Sequence, residues 1–300
     1  MAKPVTTLID ELYDWTGEHA PFEHQRKTAA FLSEHKKGFC FNEQGTGKTA
    51  SAIWAADFLM KQNILHRVLV ICPLSIMDSA WQEDIQTFAP HRTSDIAHGD
   101  KSKREKILFS SARFVMINYD GVKIVEDSIK KAGFDLIIID EATHYKNSRS
   151  QRWKVLNRIV EKTGCGLWMM TGTPAAQSPL DAYGLAKLIN PLSVPKFFTG
   201  FRDQVMQQVS RFTWVPKPSA ISRVHSTLQP AIRFTKEQCM DLPDMLYTKR
   251  RVALTPQQKK YYDKLRREMV LELTGDSITA VNAAVALNKL LQISSGAAYT

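Results

Sequence analysis

Little in this sequence points to an extracellular, membrane or metal-centred protein. Its four cysteines, Cys40, Cys72, Cys165 and Cys239, form no CxxC pair, so neither a zinc-ribbon framework nor a disulfide pattern is present. Cys40 and Cys72 lie in apolar, strand-like runs, and the set reads as reduced structural thiols of an intracellular protein. No stretch approaches the ~18 uncharged apolar residues of a membrane span. Asp10, Glu11 and Asp14 occupy the place where a secretory signal would need its apolar core. Internal repeats and low-complexity tracts are absent. Acid is in short supply: 30 Asp and Glu face 40 Lys and Arg, a net charge of +10 that favours a polyanionic partner, most simply nucleic acid.

The remainder is an ordinary globular composition. Apolar residues make up 44% and charged residues 23% of 300 positions, enough to build a core without disulfides or metals, so disorder is excluded as the main theme. Short apolar runs predict strands over 38–42, 67–72, 113–118, 134–139 and 167–171. Two of them, Val68-Leu69-Val70-Ile71 and Leu136-Ile137-Ile138-Ile139, are continuous, as strands covered on both faces are. Amphipathic segments lie between them. One helix is expected over 49–61 and another over 76–88, the latter started by Ser75 with Asp78 as a capping acid. Such alternation implies an α/β fold with a mostly parallel sheet, whose ligands gather at the carboxyl ends of the strands.

The pattern changes after Pro191. Prolines 195, 216, 218 and 230, with Phe197, Phe198, Phe201 and Trp214, suggest an insertion or helical protrusion over 193–240. Thr255-Pro256-Gln257-Gln258 then opens a long helix, with Thr as cap, Pro at the first position and Gln at the third. A second helical pattern runs over 280–291.

Three motifs carry chemistry. Asn42-Glu43-Gln44-Gly45-Thr46-Gly47-Lys48-Thr49 stands between a strand and a helix, where glycines let successive N–H groups curl around phosphate oxygens. Gln44, Gly45, Thr46 and Gly47 would form this cradle, Lys48 would reach the β- and γ-phosphates, and the Thr49 hydroxyl would hold Mg²⁺. The strict P-loop pattern has Gly where this chain has Asn42. Asp140-Glu141 ends an apolar strand, which places Asp140 to hold the Mg²⁺ shell and Glu141 to orient and deprotonate a water. An acidic pair alone is also a common strand end; beside Gly-Thr-Gly-Lys-Thr it points to nucleoside triphosphate hydrolysis. Thr171-Gly172-Thr173-Pro174 ends another strand, where hydroxyls could bond the acids and sense the γ-phosphate. A plain turn fits this third motif equally well.

The order of these motifs resembles the first RecA-like lobe of the Swi/Snf-related family of superfamily-two helicase-like DNA translocases. Pro21-Phe22-Glu23-His24-Gln25 is similar to the family's Q motif, which implies that Gln25 reads the adenine edge. Val70-Ile71-Cys72-Pro73-Leu74-Ser75, followed by Trp81 and Glu83, resembles motif Ia. His98-Gly99 and Ile117-Asn118-Tyr119 are similar to two further short motifs. Asp140 to Asn147 resembles the DEAH-x-x-KN box, with Thr143 where the family's box usually has His or another polar residue and His144 displaced by one. Thr171 to Gln177 is similar to motif III, with Gln177 in place of Asn. Arg233-Phe234-Thr235-Lys236, Leu242-Pro243, and Gln257 with Tyr261 resemble later segments of the lobe.

The resemblance covers about 21–295 and implies ATP and Mg²⁺ as ligands, double-stranded DNA as track, and a monomer. It also implies a RecA-like lobe over 21–192 after an extension over 1–20, and linker helices over 241–300 leading toward a second lobe whose motifs are not present in the sequence. An arginine finger from such a lobe is worth ~10³–10⁵ in rate, so slow turnover is expected of this chain alone. Pro73, Ser75, Asn118 and Tyr119 are expected at the tracked strand, with Lys146 as a phosphate contact. Trp81 and Tyr119 also fit as packing residues, and His144 as either a coupling or an ordinary loop residue. Basic clusters at Lys101, Lys103, Arg104 and Lys106, at Lys146, Arg149, Arg152 and Lys154, and over 249–267 read as phosphate grips or as solvated faces. A phage or bacterial branch, in a cytoplasmic setting (nuclear if eukaryotic), is expected. The alternatives are a DEAD/DEAH-type RNA or single-strand helicase lobe and a non-catalytic, ATP-gated DNA-binding module.

Overall fold

A computed structural model describes residues 7–15, 19–175, 177–239, 252–273 and 280–296. The chain divides into two compact units, 1–242 and 243–300. Among the described residues no helix is long and apolar enough to cross a membrane.

The first unit is built on a seven-stranded sheet. In chain order its strands are β1 (Lys37–Cys40), β2 (Val68–Cys72), β3 (Ser94–Ile96), β4 (Phe114–Asn118), β5 (Leu136–Asp140) and β6 (Gly166–Met170). A two-stranded hairpin follows, β7 (Met206–Gln208) and β8 (Trp214–Pro216), and β9 (Ala231–Ile232) returns to the sheet. The spatial order is β3-β4-β2-β5-β6-β1-β9, and each pairing in it is parallel. This is the parallel α/β sheet that the alternation of apolar runs and helices predicts, as the resemblance to a RecA-like lobe also implies.

The continuous apolar runs follow from burial on both faces. Leu69, Ile71, Ile137 and Ile139 join one core, whereas Val68, Val70, Leu136 and Ile138 join the other. Alternate residues of one strand thus serve two layers of helices, and no position is free for a polar side chain. Each such Val or Ile contributes about 1.5–3 kcal/mol by leaving water.

Two features depart from the sequence reading. The segment expected as one helix over 76–88 is a 3₁₀ turn (Leu74–Ile76), a wide π turn (Met77–Gln82) and an α-helix (Glu83–Phe88). Ser75 lies inside the first turn, and neither it nor Asp78 makes a side-chain cap there. The extra residue of the π turn swings Trp81 into the interior, where it is fully buried. The protrusion over 193–240 contains the helices Phe198–Val205 and Ala220–Thr227, with the β7–β8 hairpin between them. It belongs to the same compact unit as the sheet.

The second unit contains the helices Pro256–Leu273 and Ala280–Ser295. The expected capping box is present: Thr255 N donates to Gln258 Oε1 at 2.9 Å and Gln258 N to Thr255 Oγ1 at 3.2 Å. Gln258 Nε2 also reaches the Ile293 carbonyl at 3.3 Å, tying one helix to the other. Leu242-Pro243 and the early part of the basic run over 249–267 lie outside the described residues, as does Ala176 of the third motif.

Candidate nucleotide site

The motifs meet because of the strand order. β6 runs between β1 and β5, so Thr171 leaves the sheet between the glycine-rich loop and the Asp140-Glu141 pair. At ~4.8 Å per strand, the ends of β1 and β5 are only ~10 Å apart.

On the loop side, Gly45 and Gly47 adopt φ of +82° and +76°. Gln25 packs directly over Gly47: a Cβ there would fall 2.0 Å from Gln25 Nε2 and displace the end of that side chain. The Gln25 amide accepts from Phe22 N at 2.9 Å and donates to the Thr46 carbonyl at 3.4 Å. His24 Nε2 lies 2.9 Å from the same carbonyl. The helix Glu23–Glu34 is therefore clamped to the loop, and Gln25 rests against it. Thr46 closes the turn by donating from Oγ1 to the Glu43 carbonyl at 2.7 Å. Lys48 Nζ bridges to that carbonyl at 3.0 Å. Burial lowers the pKa of this ammonium, opposed by the negative potential of Cys40, Asp140, Glu141 and Glu43. Thr49 is the second residue of the helix Lys48–Lys61, whose N-terminus favours anions. Gln44 is exposed at the loop's crest.

Asn42, the departure from the strict pattern, is buried and has a stitching role. Its Nδ2 donates to Thr28 Oγ1 at 2.8 Å and its Oδ1 accepts from Phe234 N at 3.0 Å. Glu43 N donates to the Phe234 carbonyl at 3.0 Å, and Glu43 Oε2 accepts from Lys236 N at 3.1 Å. Residues 233–236 thus form a strap along the loop, with Lys236 Cε 3.6 Å from where a Cβ on Gly45 would stand. Sequence reasoning connected neither Asn42 nor His24 with this clamp, because the partners of both are remote in sequence or are backbone carbonyls.

On the acid side, Asp140 Oδ2 accepts from the Trp81 indole N–H at 3.0 Å and Oδ1 from Glu141 N at 3.0 Å. Its backbone carbonyl accepts the Tyr119 hydroxyl. Desolvation raises the Asp140 pKa, while Trp81, Lys48 and Glu141 N pull it down. Glu141 occupies the left-handed region at φ 55° and ψ 64°, a conformation that costs a non-glycine residue ~1–3 kcal/mol and persists only where its surroundings enforce it. Two hydroxyls converge on Glu141 Oε1, Thr171 Oγ1 at 2.7 Å and Thr143 Oγ1 at 2.9 Å. Thr173 N in turn donates to Thr171 Oγ1 at 3.3 Å, Thr171 N donates to the Cys40 carbonyl at 3.0 Å, and a Cβ on Gly172 would stand 3.6 Å from Gln44 N and 3.7 Å from the Asn42 carbonyl oxygen. The third motif therefore touches both sides of the site. His144 lies outside this bond set, its ring centroid 4.4 Å from that of Tyr119. Burial, with Arg152 beside it, lowers its pKa toward the neutral form.

The residues expected at a nucleic acid are not all exposed. Pro73 and Ser75 leave the end of β2 half-buried and exposed, beside Asn118 at the end of β4. Asn118 is held by Arg104, whose buried guanidinium also bonds the Ala97 and Gly99 carbonyls at 2.7 and 2.8 Å. Arg104 is therefore part of the framework and not a phosphate grip. Tyr119 is 8% exposed with its hydroxyl committed to Asp140, which fits the packing reading. Lys146 Nζ is bound to Gln177 Oε1 at 2.7 Å and Asp181 Oδ2 at 3.2 Å, joining the acidic box to the end of the third motif.

Comparison with known proteins finds similarity in sequence and in fold. A family profile described as the SNF2-related domain matches residues 24–295. Protein p41 of Acyrthosiphon pisum secondary endosymbiont phage 1 is 26% identical over 93% of this chain and 64% of its own length. The ISWI chromatin-remodeling complex ATPase of Saccharomyces cerevisiae is 26% identical over 90% of this chain and 23% of its own. An uncharacterized ATP-dependent helicase of Mycoplasma genitalium is 27% identical over 86% and 24%. The Sulfolobus solfataricus SWI2/SNF2 ATPase core, solved alone and with double-stranded DNA, matches in fold with TM-scores of 0.63 and 0.62 at 22% and 23% identity. The chain covers 60% and 59% of those two structures, so it spans only part of the relatives and structures named here.

Proposed function

The chain belongs to the SNF2-related domain family, and on that premise we propose that residues 21–192 are the ATP-binding motor lobe of a nucleic-acid-dependent ATPase that moves along double-stranded DNA. One observation carries the reading: Asp140, Glu141 and Thr171 stand together at the ends of two neighbouring strands, within the electrostatic reach of Lys48 on the loop that follows a third. The loop 44–47 and the helix N-terminus would bind the phosphates, with Lys48 exchanging its bond to the Glu43 carbonyl for phosphate oxygens. Gln25, packed on Gly47, would lie toward the base.

The donor set suits Mg²⁺ brought in with the nucleotide. Asp140 is a desolvated carboxylate that gains from a cation, and among the described residues no three His, Cys, Asp or Glu side chains gather into a separate metal centre. Thr49 and Asp140 would hold the ion, which when bound neutralises charge on the phosphates. Glu141 would orient the attacking water and accept its proton, and the bonds from Thr143 and Thr171 fix which carboxylate oxygen remains for that task. Charge developing on the γ-phosphate needs further cations. We assign these to a second RecA-like lobe, in the same polypeptide or another, so that this chain alone binds ATP and hydrolyses it slowly.

Duplex DNA is favoured as the track by the net charge of +10 and by the fold shared with a core solved on double-stranded DNA. The test compares ATPase rates with duplex DNA, single strands and RNA, for this chain and for a protein that also contains a second lobe. Stimulation by duplex in the two-lobed form, well above that by RNA, is expected. Preference for RNA would support a DEAD/DEAH-type lobe, and ATP-switched binding without turnover would support a regulatory clamp.

A further inference from the structure

The β7–β8 hairpin has no part in the nucleotide site. Met206 pairs with Pro216 and Gln208 with Trp214, leaving residues 209–213 as a tip. Its base is built into the core: Val205 and Met206 are buried and Trp214 packs against the same cluster. Lys217 N donates to the Val205 carbonyl at 2.9 Å, and the Arg202 guanidinium lies 4.0 Å from the Trp214 ring centroid. The tip is braced too, by Val209 N to the Thr213 carbonyl at 3.0 Å and Gln208 Nε2 to the Arg211 carbonyl at 3.0 Å.

On this braced tip Phe212 is 86% exposed and Val209 58%. An aromatic ring left in water forgoes the stabilisation that burial would give it, so folding has no use for Phe212 where it stands. The Arg211 guanidinium lies 5.3 Å from its ring centroid. The surroundings are basic: over 193–232, Lys196, Arg202, Arg211, Lys217 and Arg223 face a single acid, Asp203. That acid is already paired with Arg202 at 3.1 Å. An apolar protein partner would leave these cations unmatched. A duplex satisfies both features, since phosphates meet the cations and an apolar wedge enters between base pairs.

We infer that the hairpin 206–216 is a second DNA contact, in which Phe212 inserts at a base step of a duplex and Arg211 meets the adjoining phosphate. This rests on the duplex-translocase reading above.

The test uses the full chain and duplexes carrying 2-aminopurine. Binding is expected to raise the fluorescence as bases unstack. Phe212→Ala should remove that rise and weaken duplex binding by about tenfold, whereas Phe212→Trp should retain both effects. Affinity for an ATP analogue should be equal in all three proteins. Phe212→Ala with wild-type affinity and an unchanged fluorescence response would overturn the wedge while leaving the motor reading intact. A wild-type chain that binds no duplex would overturn both.

Discussion

Replacing Trp81 by Phe separates two explanations of why that residue is there. The indole is fully buried, and its N–H is the side-chain donor that reaches the Asp140 carboxylate, at 3.0 Å. A hydrogen bond to a charged group is worth ~1.5–3 kcal/mol, or about 10- to 150-fold in an equilibrium that requires the charged form. Trp81→Phe keeps an aromatic ring and removes that donor. Affinity for a Mg·nucleotide should therefore fall by at least about tenfold. The pH dependence carries a sign as well. Burial already raises the Asp140 pKa and the Trp81 bond opposes the rise, so without the bond protons compete with the cation from a higher pH. Calorimetric titration with a Mg·ATP analogue at several pH values reads both effects. Trp168→Phe is the control, since it also deletes a buried indole N–H, one donated to the His35 carbonyl at 2.8 Å. It should lower thermal stability and leave the pH profile alone. If Trp81→Phe binds Mg·nucleotide with the wild-type affinity and pH profile, Trp81 is a packing residue and its bond to Asp140 does not matter to the site.

Two further outcomes follow from the geometry. Glu141→Gln, in a protein that includes a second lobe, should bind ATP normally and lose at least ~100-fold in steady-state ATPase rate, since general-base catalysis is typically worth ~10²–10⁴. Asp57, buried among Tyr13 (2.8 Å), Arg92 (2.6 Å), His91 (2.9 Å) and Lys61 (3.3 Å), ties the N-terminal helix to the end of the P-loop helix. Asp57→Ala should cost about 2–3 kcal/mol in a denaturant melt, less than a fully enclosed pair because its cations remain partly in water. Burial pushes the Asp57 carboxyl up, but the bonds from Arg92 and Tyr13 outweigh it and the net shift is downward. Its contribution is thus present above the unfolded-state value, and the gap between wild type and variant should close on acidification.

The parts of the site legible in the sequence are those built from local chemistry. A continuous apolar run announces a strand between two layers, and the glycines of the loop announce left-handed backbone at 45 and 47. What stayed hidden depends on partners remote in sequence. Asn42 reads as a flaw in a motif until Thr28 and Phe234 are seen on either side of it. Trp81 reads as core because amphipathic periodicity cannot anticipate a π turn, and that turn is what aims the indole at β5. Charge leaves the cluster of Arg104 open between a phosphate grip and a solvated face, and motif leaves Tyr119 open between the tracked strand and packing; both are buried and bonded to the framework of the site. The short hairpin strands at 206–208 and 214–216 have no alternation long enough to identify them. The pairing of Gln208 with Trp214 emerges only when the flanking helices bring the two arms together.

The most direct measurement is a calorimetric titration of a Mg·ATP analogue into the wild-type chain and into Lys48→Ala. One saturable site in the wild type, lost in the variant while its thermal melt is unchanged, is the predicted result. Equal binding by both proteins would contradict the assignment of the triphosphate to the loop that Lys48 spans.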